Sequence, residues 1–165
     1  ISTMVDYECE LAVVIGKAGR HIDQAHALDH VAGYTCFNDI SIRDWQRHTT
    51  QFTPGKNFPR TGPLGPFLVT KDEIPEPHNL AIKTRLNGQV LQDANTSQLI
   101  FRIPELIAYI SSFTEVAPGG RIATGAPSGV GFARKPPVFM KAGDVVEVEI
   151  GGIGVLRNRL DAEPS

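Results

Sequence analysis

The chain has 165 residues, 41% of them hydrophobic and 21% charged, with a formal net charge of −2. These figures fit one globular domain with a sizeable core, and they exclude a disordered chain or a basic nucleic-acid binder. No apolar run approaches the ~18 residues of a membrane helix and no secretory signal is readable at the start, so the expected setting is the cytoplasm, with Cys9 and Cys36 as buried free thiols.

The first predicted element is a strand. Asp6-Tyr7 leads into Glu8-Cys9-Glu10, and residues 11–15 run on as an apolar stretch ended by Gly16. Alternate side chains of a strand share a face about 6.6 Å apart, so Glu8 and Glu10 point together while Cys9 points away. After a turn at 16–20, residues 23–31 have the spacing of a short helix ending near Gly33. Residues 34–37 read as a second strand that delivers Asn38-Asp39 at its C-terminal end, and 41–48 as one or two helical turns. Residues 49–66 are rich in Thr, Gly and Pro, which marks a long functional loop or surface excursion.

Strands follow at 67–70 and 79–86. Asn87-Gly88 is a strong hairpin signal before a returning strand at 89–92. Pro104 suits the start of a helix with Ile103, Leu106, Ile107 and Ile110 on one face. Beyond it, strands are expected at 121–124, 145–150 and 153–160, with a loop at 125–131 and turns at Gly143-Asp144 and Gly151-Gly152. The expected fold is a β-rich α+β domain of mixed or antiparallel sheets, with residues 1–165 forming one domain.

Glu8, Glu10 and Asp39 offer oxygen ligands only, which favours Mg²⁺, Mn²⁺ or Ca²⁺ over zinc. Two carboxylates so close raise one another's pKa unless a cation lies between them. Three such ligands would leave positions open for water or a bidentate substrate, as a catalytic site requires. The alternative is a solvated strand end salt-bridged to Arg or Lys. Arg43, Gln46 and Lys56 follow Asp39 closely. The first two are three residues apart and would face one way on a helical turn, while Lys56 follows Gly55 in a loop. Residues 124–131 match no phosphate-loop pattern and read as a strand-end turn bringing Thr124 to a pocket. The five histidines pair with no Ser or Cys in a nucleophile motif and are expected to be structural or exposed.

Several segments together resemble the fumarylacetoacetate hydrolase family: Asp6 to Leu11, Gly33 to Asp44, Gly55 to Phe58, Thr96 to Phe101, Thr124 to Gly131 and Gly152 to Asn158. The match spans essentially the whole chain in the right order. The resemblance implies the family's compact mixed β-roll and homodimer. It further implies Mg²⁺ or Mn²⁺ held by Glu8, Glu10 and Asp39, with Arg43, Gln46, Lys56 and Thr124 meeting substrate, and Lys56, Arg43 and Gln46 in catalytic roles. Substrates in this family are 2-oxo acids with a second carbonyl or a conjugated double bond, whose developing enolate the cation and Lys56 would stabilise.

Hydrolytic members carry a water-activating His, usually with a Glu, before the Glu-x-Glu strand. Here that strand almost opens the chain at Ile1, so the domain is expected to be N-terminally incomplete, with the absent segment serving as a lid. The first functional expectation is metal-dependent hydrolysis of a C–C bond in acylpyruvate-like β-diketo acids. Close behind stands isomerisation or decarboxylation of 2-hydroxy-dienedioates or oxo-tricarboxylates in aromatic-acid catabolism. A non-catalytic dimer that binds metal and dicarboxylates is the third.

Overall fold

The computed structural model describes residues 1–162. It is built on two four-stranded sheets, and every pairing within them is antiparallel. Strands β2 (Cys9–Ile15) and β3 (Val31–Asn38) form the centre of one sheet, flanked by β8 (Arg121–Ala123) and β5 (Leu64–Thr70). The other sheet runs β10 (Gly154–Arg159), β9 (Val145–Ile150), β6 (Ala81–Leu86), β7 (Gln89–Asn95). Two short strands, β1 (Val5–Asp6) and β4 (Ser41–Ile42), pair beside them.

Alternation explains the packing. In β9, Val146, Val148 and Ile150 are buried while Val145, Glu147 and Glu149 are only partly covered, and in β6 Ile82, Thr84 and Leu86 turn inward. Of these, Ile82, Val148 and Ile150 share a core with Cys9, Leu11, Val13 and Ile15 of β2, and the helix α2 (Ile103–Phe113) adds Ile103 and Ile107 to it. A second cluster of Tyr7, Ile40, Leu86, Leu91, Met140 and Val146 packs near the acidic end of the molecule.

The Asn87-Gly88 turn closes β6 onto β7 with Leu86 opposite Gln89, both turn residues having positive φ, as a type I′ turn demands. The expected helix over 23–31 is not formed. Asp23 accepts from the His26 backbone N–H at 3.0 Å, which holds a local turn, and a single 3₁₀ turn at Ala27–His30 follows. β-Branched Val31 already pairs with Ile15, so tertiary strand pairing wins over the helical spacing. The 49–66 excursion is irregular as expected only up to Pro63, with one 3₁₀ turn at Thr53–Gly55 that leads into Lys56; strand β5, expected from 67, already begins at Leu64, where the chain pairs with Phe37 of β3. Cys9 and Cys36 are free and buried, and burial pushes their thiols up to about 12 and about 11, so neither is a nucleophile at neutral pH. Among the described residues no helix is long and apolar enough to cross a membrane.

Candidate functional site

The antiparallel register of β2 and β3 places Cys9 opposite Asn38 and Glu10 opposite Phe37. The chain just outside that ladder is tied in as well. Asp39 N–H donates to the Glu8 carbonyl at 2.9 Å, and Glu8 N–H donates to the Asn38 side-chain oxygen at 3.1 Å. The consequence is that Glu8, Glu10 and Asp39 converge, with one carboxylate oxygen from each within 4.8 Å of the others.

Arg43, Gln46 and Lys56 are brought to the same place. Arg43 and Gln46 lie on the helical turn α1 (Arg43–Gln46), where Arg43 Nη1 donates to Gln46 Oε1 at 3.1 Å and pairs with Glu8 Oε1 at 2.7 Å. Lys56 Nζ bridges Glu8 Oε2 at 2.8 Å and Asp39 Oδ2 at 2.6 Å. The approach depends on Gly55, where a Cβ would stand 2.6 Å from Gln46 atoms. Thr124 sits close by but is differently occupied. Its hydroxyl donates to the Leu11 carbonyl at 2.8 Å, leaving only its lone pairs for a ligand, while the next residue, Gly125, donates its N–H to Glu10 Oε2 at 2.8 Å.

Both halves of the sequence expectation are thus present at once: the acids converge, and a lysine and an arginine reach them. Arg43 touches only Glu8 of the three, because its Nε is committed to Asp6. Four carboxylates, those of Asp6, Glu8, Glu10 and Asp39, therefore share two cations, Arg43 and Lys56, and two negative charges stay uncompensated. The excess registers on Glu10. Burial pushes its carboxyl up to about 7 against the Gly125 N–H bond, and the charges of Asp39 and Glu8 add to the shift. Asp39 is also raised, by burial first, with Lys56 opposing. Burial works against the charge of Lys56, but its bonds to Asp39 and Glu8 outweigh that and hold its pKa above the usual lysine value. A deficit of two positive charges beside three convergent oxygen donors fits one hard divalent ion.

Asp6 is the site residue that the sequence reading passed over. It is fully buried, and its carboxylate accepts four hydrogen bonds, from the N–H groups of Tyr7, Gly131 and Phe132 and from Arg43 Nε. The signal was available, since Asp6, Glu8 and Glu10 continue one period-two series of acids. Gln92, also unread, accepts from Cys9 N–H at 3.1 Å and donates to the Pro127 carbonyl at 2.9 Å, linking the start of β2 to the 125–131 loop. The histidines fall where expected. None hydrogen-bonds the acidic trio among the described residues, and His78 accepts from the Ile103 N–H at the start of α2. An open cleft of about 580 Å³, lined by Trp45, Pro54, Asn57 and Phe58 among others, flanks the segment that carries Gln46 and Lys56 but contains none of the three acids.

A model of the fumarylacetoacetate hydrolase C-terminal region matches residues 1–161. Among curated relatives, human oxaloacetate tautomerase FAHD2A, mitochondrial, is 52% identical over 161 residues, covering 96% of this chain and 51% of that protein. Oxaloacetate tautomerase YisK of Bacillus subtilis is 47% identical over 160 residues, covering 97% of this chain and 53% of that protein. The chain spans about half the length of the curated relatives it matches. Among solved structures, a fumarylacetoacetate hydrolase from psychrophilic Exiguobacterium antarcticum superposes with a TM-score of 0.95 at 39% identity, over 99% of this chain and 58% of that one. A 5-carboxymethyl-2-hydroxymuconate delta-isomerase from Mycobacterium smegmatis gives 0.90 at 35% identity, over 99% and 61%.

Proposed function

This chain belongs to the fumarylacetoacetate hydrolase family, and from that premise we propose that it forms the catalytic domain of a divalent-metal-dependent enzyme that enolises a small 2-oxo acid, tautomerising an oxaloacetate-like diacid. The observation that carries the reading is the convergence of Glu8, Glu10 and Asp39 with two negative charges left over beside Lys56 and Arg43. The names of the human and B. subtilis relatives supply the substrate class.

In this reading Glu8, Glu10 and Asp39 hold Mg²⁺ or Mn²⁺, which when bound supplies Lewis-acid polarisation of the 2-oxo group. The chain's own residues do the rest. Lys56 Nζ, already poised within hydrogen-bond distance of two site carboxylates, gives a fixed positive charge for the enolate oxygen. Arg43 and Gln46, coupled to each other, orient the substrate carboxylate. Thr124, whose hydroxyl proton is committed to Leu11, offers an acceptor at the rim. The enzyme acts as a homodimer on a soluble small-molecule acid, in a reducing compartment that suits two buried free thiols.

Keto–enol exchange needs only an enolate-stabilising set and a moved proton. Hydrolysis of an acylpyruvate needs in addition a base that activates water. It stands as the second reading, supported by the fold match to the Exiguobacterium hydrolase. An ultraviolet time course on oxaloacetate decides between them. Metal-dependent acceleration of enol decay, with the diacid recovered intact, supports tautomerisation. Metal-dependent appearance of two acids from an acylpyruvate, with no effect on oxaloacetate, would replace it by hydrolysis.

A further inference from the structure

We infer that Asp6 is a positioning residue whose negative charge limits Arg43 to a single-donor contact with Glu8, and so leaves Glu8 available to a divalent cation; the inference rests on the metal-site reading above. The geometry is specific. Asp6 Oδ1 accepts from Tyr7 N–H at 2.8 Å and Gly131 N–H at 2.7 Å, and Oδ2 accepts from Phe132 N–H at 2.9 Å and Arg43 Nε at 2.8 Å. Three of the four donors are backbone, so the carboxylate is fixed by the fold before Arg43 meets it. Gly131 is required for this cradle, because a Cβ there would collide with the Val138 carbonyl and stand 2.7 Å from Asp6 Oδ1. The loop is pinned again by Arg134, which donates through Nε to the Tyr7 hydroxyl and the Gly129 carbonyl and through Nη2 to the Leu91 carbonyl.

Arg43 is therefore held by its Nε edge. It reaches Glu8 through Nη1 alone, at 2.7 Å, and its Nη2 is buried without a partner among the described residues. A guanidinium free to choose would turn its two-donor edge onto a carboxylate, because the bidentate pair is the stronger arrangement. Asp6 opposes that embrace in two ways: by holding Nε it fixes the orientation of the guanidinium, so that Nη1 alone faces Glu8, and it balances the arginine's charge in a place where an unbalanced cation would seek the nearest carboxylate. Without the Asp6 charge, Glu8 becomes the counter-ion of Arg43, and a divalent ion has to compete with a buried guanidinium for its ligand.

The test is calorimetry with Mn²⁺ on the wild-type protein and on Asp6→Asn, Arg43→Gln and the double variant. Asp6→Asn, which alters no cation ligand, is expected to raise the Mn²⁺ dissociation constant at least tenfold. The double variant should recover to within about threefold of wild type, because the competitor has gone. Recovery is the outcome that a merely structural role for Asp6 does not produce. Arg43→Gln alone leaves the crowded Asp6 carboxylate untouched, keeping the test available if Asp6→Asn does not fold, and should bind Mn²⁺ at least as tightly as wild type. A tenfold weaker constant in Arg43→Gln, an unshifted constant in folded Asp6→Asn, or a double variant as weak as Asp6→Asn overturns the inference. A wild-type protein that binds no Mn²⁺ removes the metal-site reading itself and the inference with it, so the two failures are distinguishable.

Discussion

The chain carries Glu-x-Glu twice, and the two copies behave oppositely. On the outer face of β9, Glu147 pairs with Arg157 Nε at 3.2 Å and Glu149 pairs with Arg85, with side chains 24% and 39% exposed, so two acids meet two guanidinia and the patch is neutral. At the start of β2, Glu8 and Glu10 are joined by Asp39 and Asp6, all mostly buried, with only Arg43 and Lys56 in answer. Spacing makes both pairs possible, since alternate residues share a strand face. Burial combined with fewer cations than acids sets only one of them apart as a candidate cation site.

The sharpest way to break this contrast is to neutralise one acid at each end. Asp39→Asn or Glu10→Gln should weaken Mg²⁺ or Mn²⁺ binding by more than a hundredfold and lower turnover by orders of magnitude, with the fold kept. Glu147→Gln and Glu149→Gln should leave both unchanged. Calorimetry paired with the oxaloacetate assay reads all four variants. Unchanged metal affinity in either inner variant would make the inner pair no different in kind from the outer one.

Burial of Glu10, with the neighbouring acids adding to it, also makes the metal-free protein pH-dependent in a direction that can be stated. The Glu10 carboxyl is pushed up to about 7, chiefly by burial, from an ordinary value of 4.5. The folded state then holds a proton that the unfolded state has lost between those two values. Stability is fully present below about pH 4.5 and falls as pH rises through 7, by up to roughly 3 kcal/mol. Denaturant melts of metal-free protein from pH 5 to 8 should show that decline. Glu10→Gln should flatten it, and saturating Mg²⁺ should remove it by neutralising the excess charge. A stability that climbs over the same window would mean the site carries no surplus of negative charge.

How much of this could be read in advance differs between the strands and the loops. The strands β2 and β3, the Asn87-Gly88 hairpin and the α2 face followed from periodicity and turn chemistry, because those signals lie within a few residues of one another, whereas the pairing of β2 with β3 is long-range and was not legible. The identification of Glu8, Glu10 and Asp39 as one group came from alternation plus the resemblance, and the pairing of Cys9 with Asn38 gives the physical reason they meet. Asp6 was hidden because its partners, Gly131 and Phe132, lie some 125 residues away in a loop with no regular pattern. The 23–31 segment misled because its helical spacing is real but weak beside a strand pairing that spacing cannot show.

Lys56 tests the comparison more gently. It is the lysine cation of the inner site, bridging Glu8 and Asp39. Lys56→Met should keep metal binding yet weaken capture of oxalate, a mimic of a 2-oxo acid enolate, by about tenfold, or roughly 1.4 kcal/mol. The melting-temperature rise on adding Mg²⁺ should be larger in the variant than in the wild type, because Asp39 has then lost its cation and Glu8 keeps only Arg43. Equal oxalate affinity would place Lys56 outside the ligand's reach and leave it only a counter-ion.

The outer pair supplies the smallest effect and the control for the rest. Arg85 and Glu149 sit on adjacent strands, β6 and β9, with 28% and 39% of their side chains exposed, so solvent screening offsets most of their attraction. A double-mutant cycle with Arg85→Ala and Glu149→Ala should return a coupling of no more than ~1 kcal/mol, shrinking in high salt. The same cycle applied to Lys56 and Asp39 in metal-free protein should give a larger and less salt-sensitive coupling, because that pair is less exposed, at 20% of each side chain, and the lysine is the counter-charge of two acids. Equal couplings at the two ends would show that burial does not separate the acids of β9 from those of β2, and the charge deficit would lose its meaning as a mark of function.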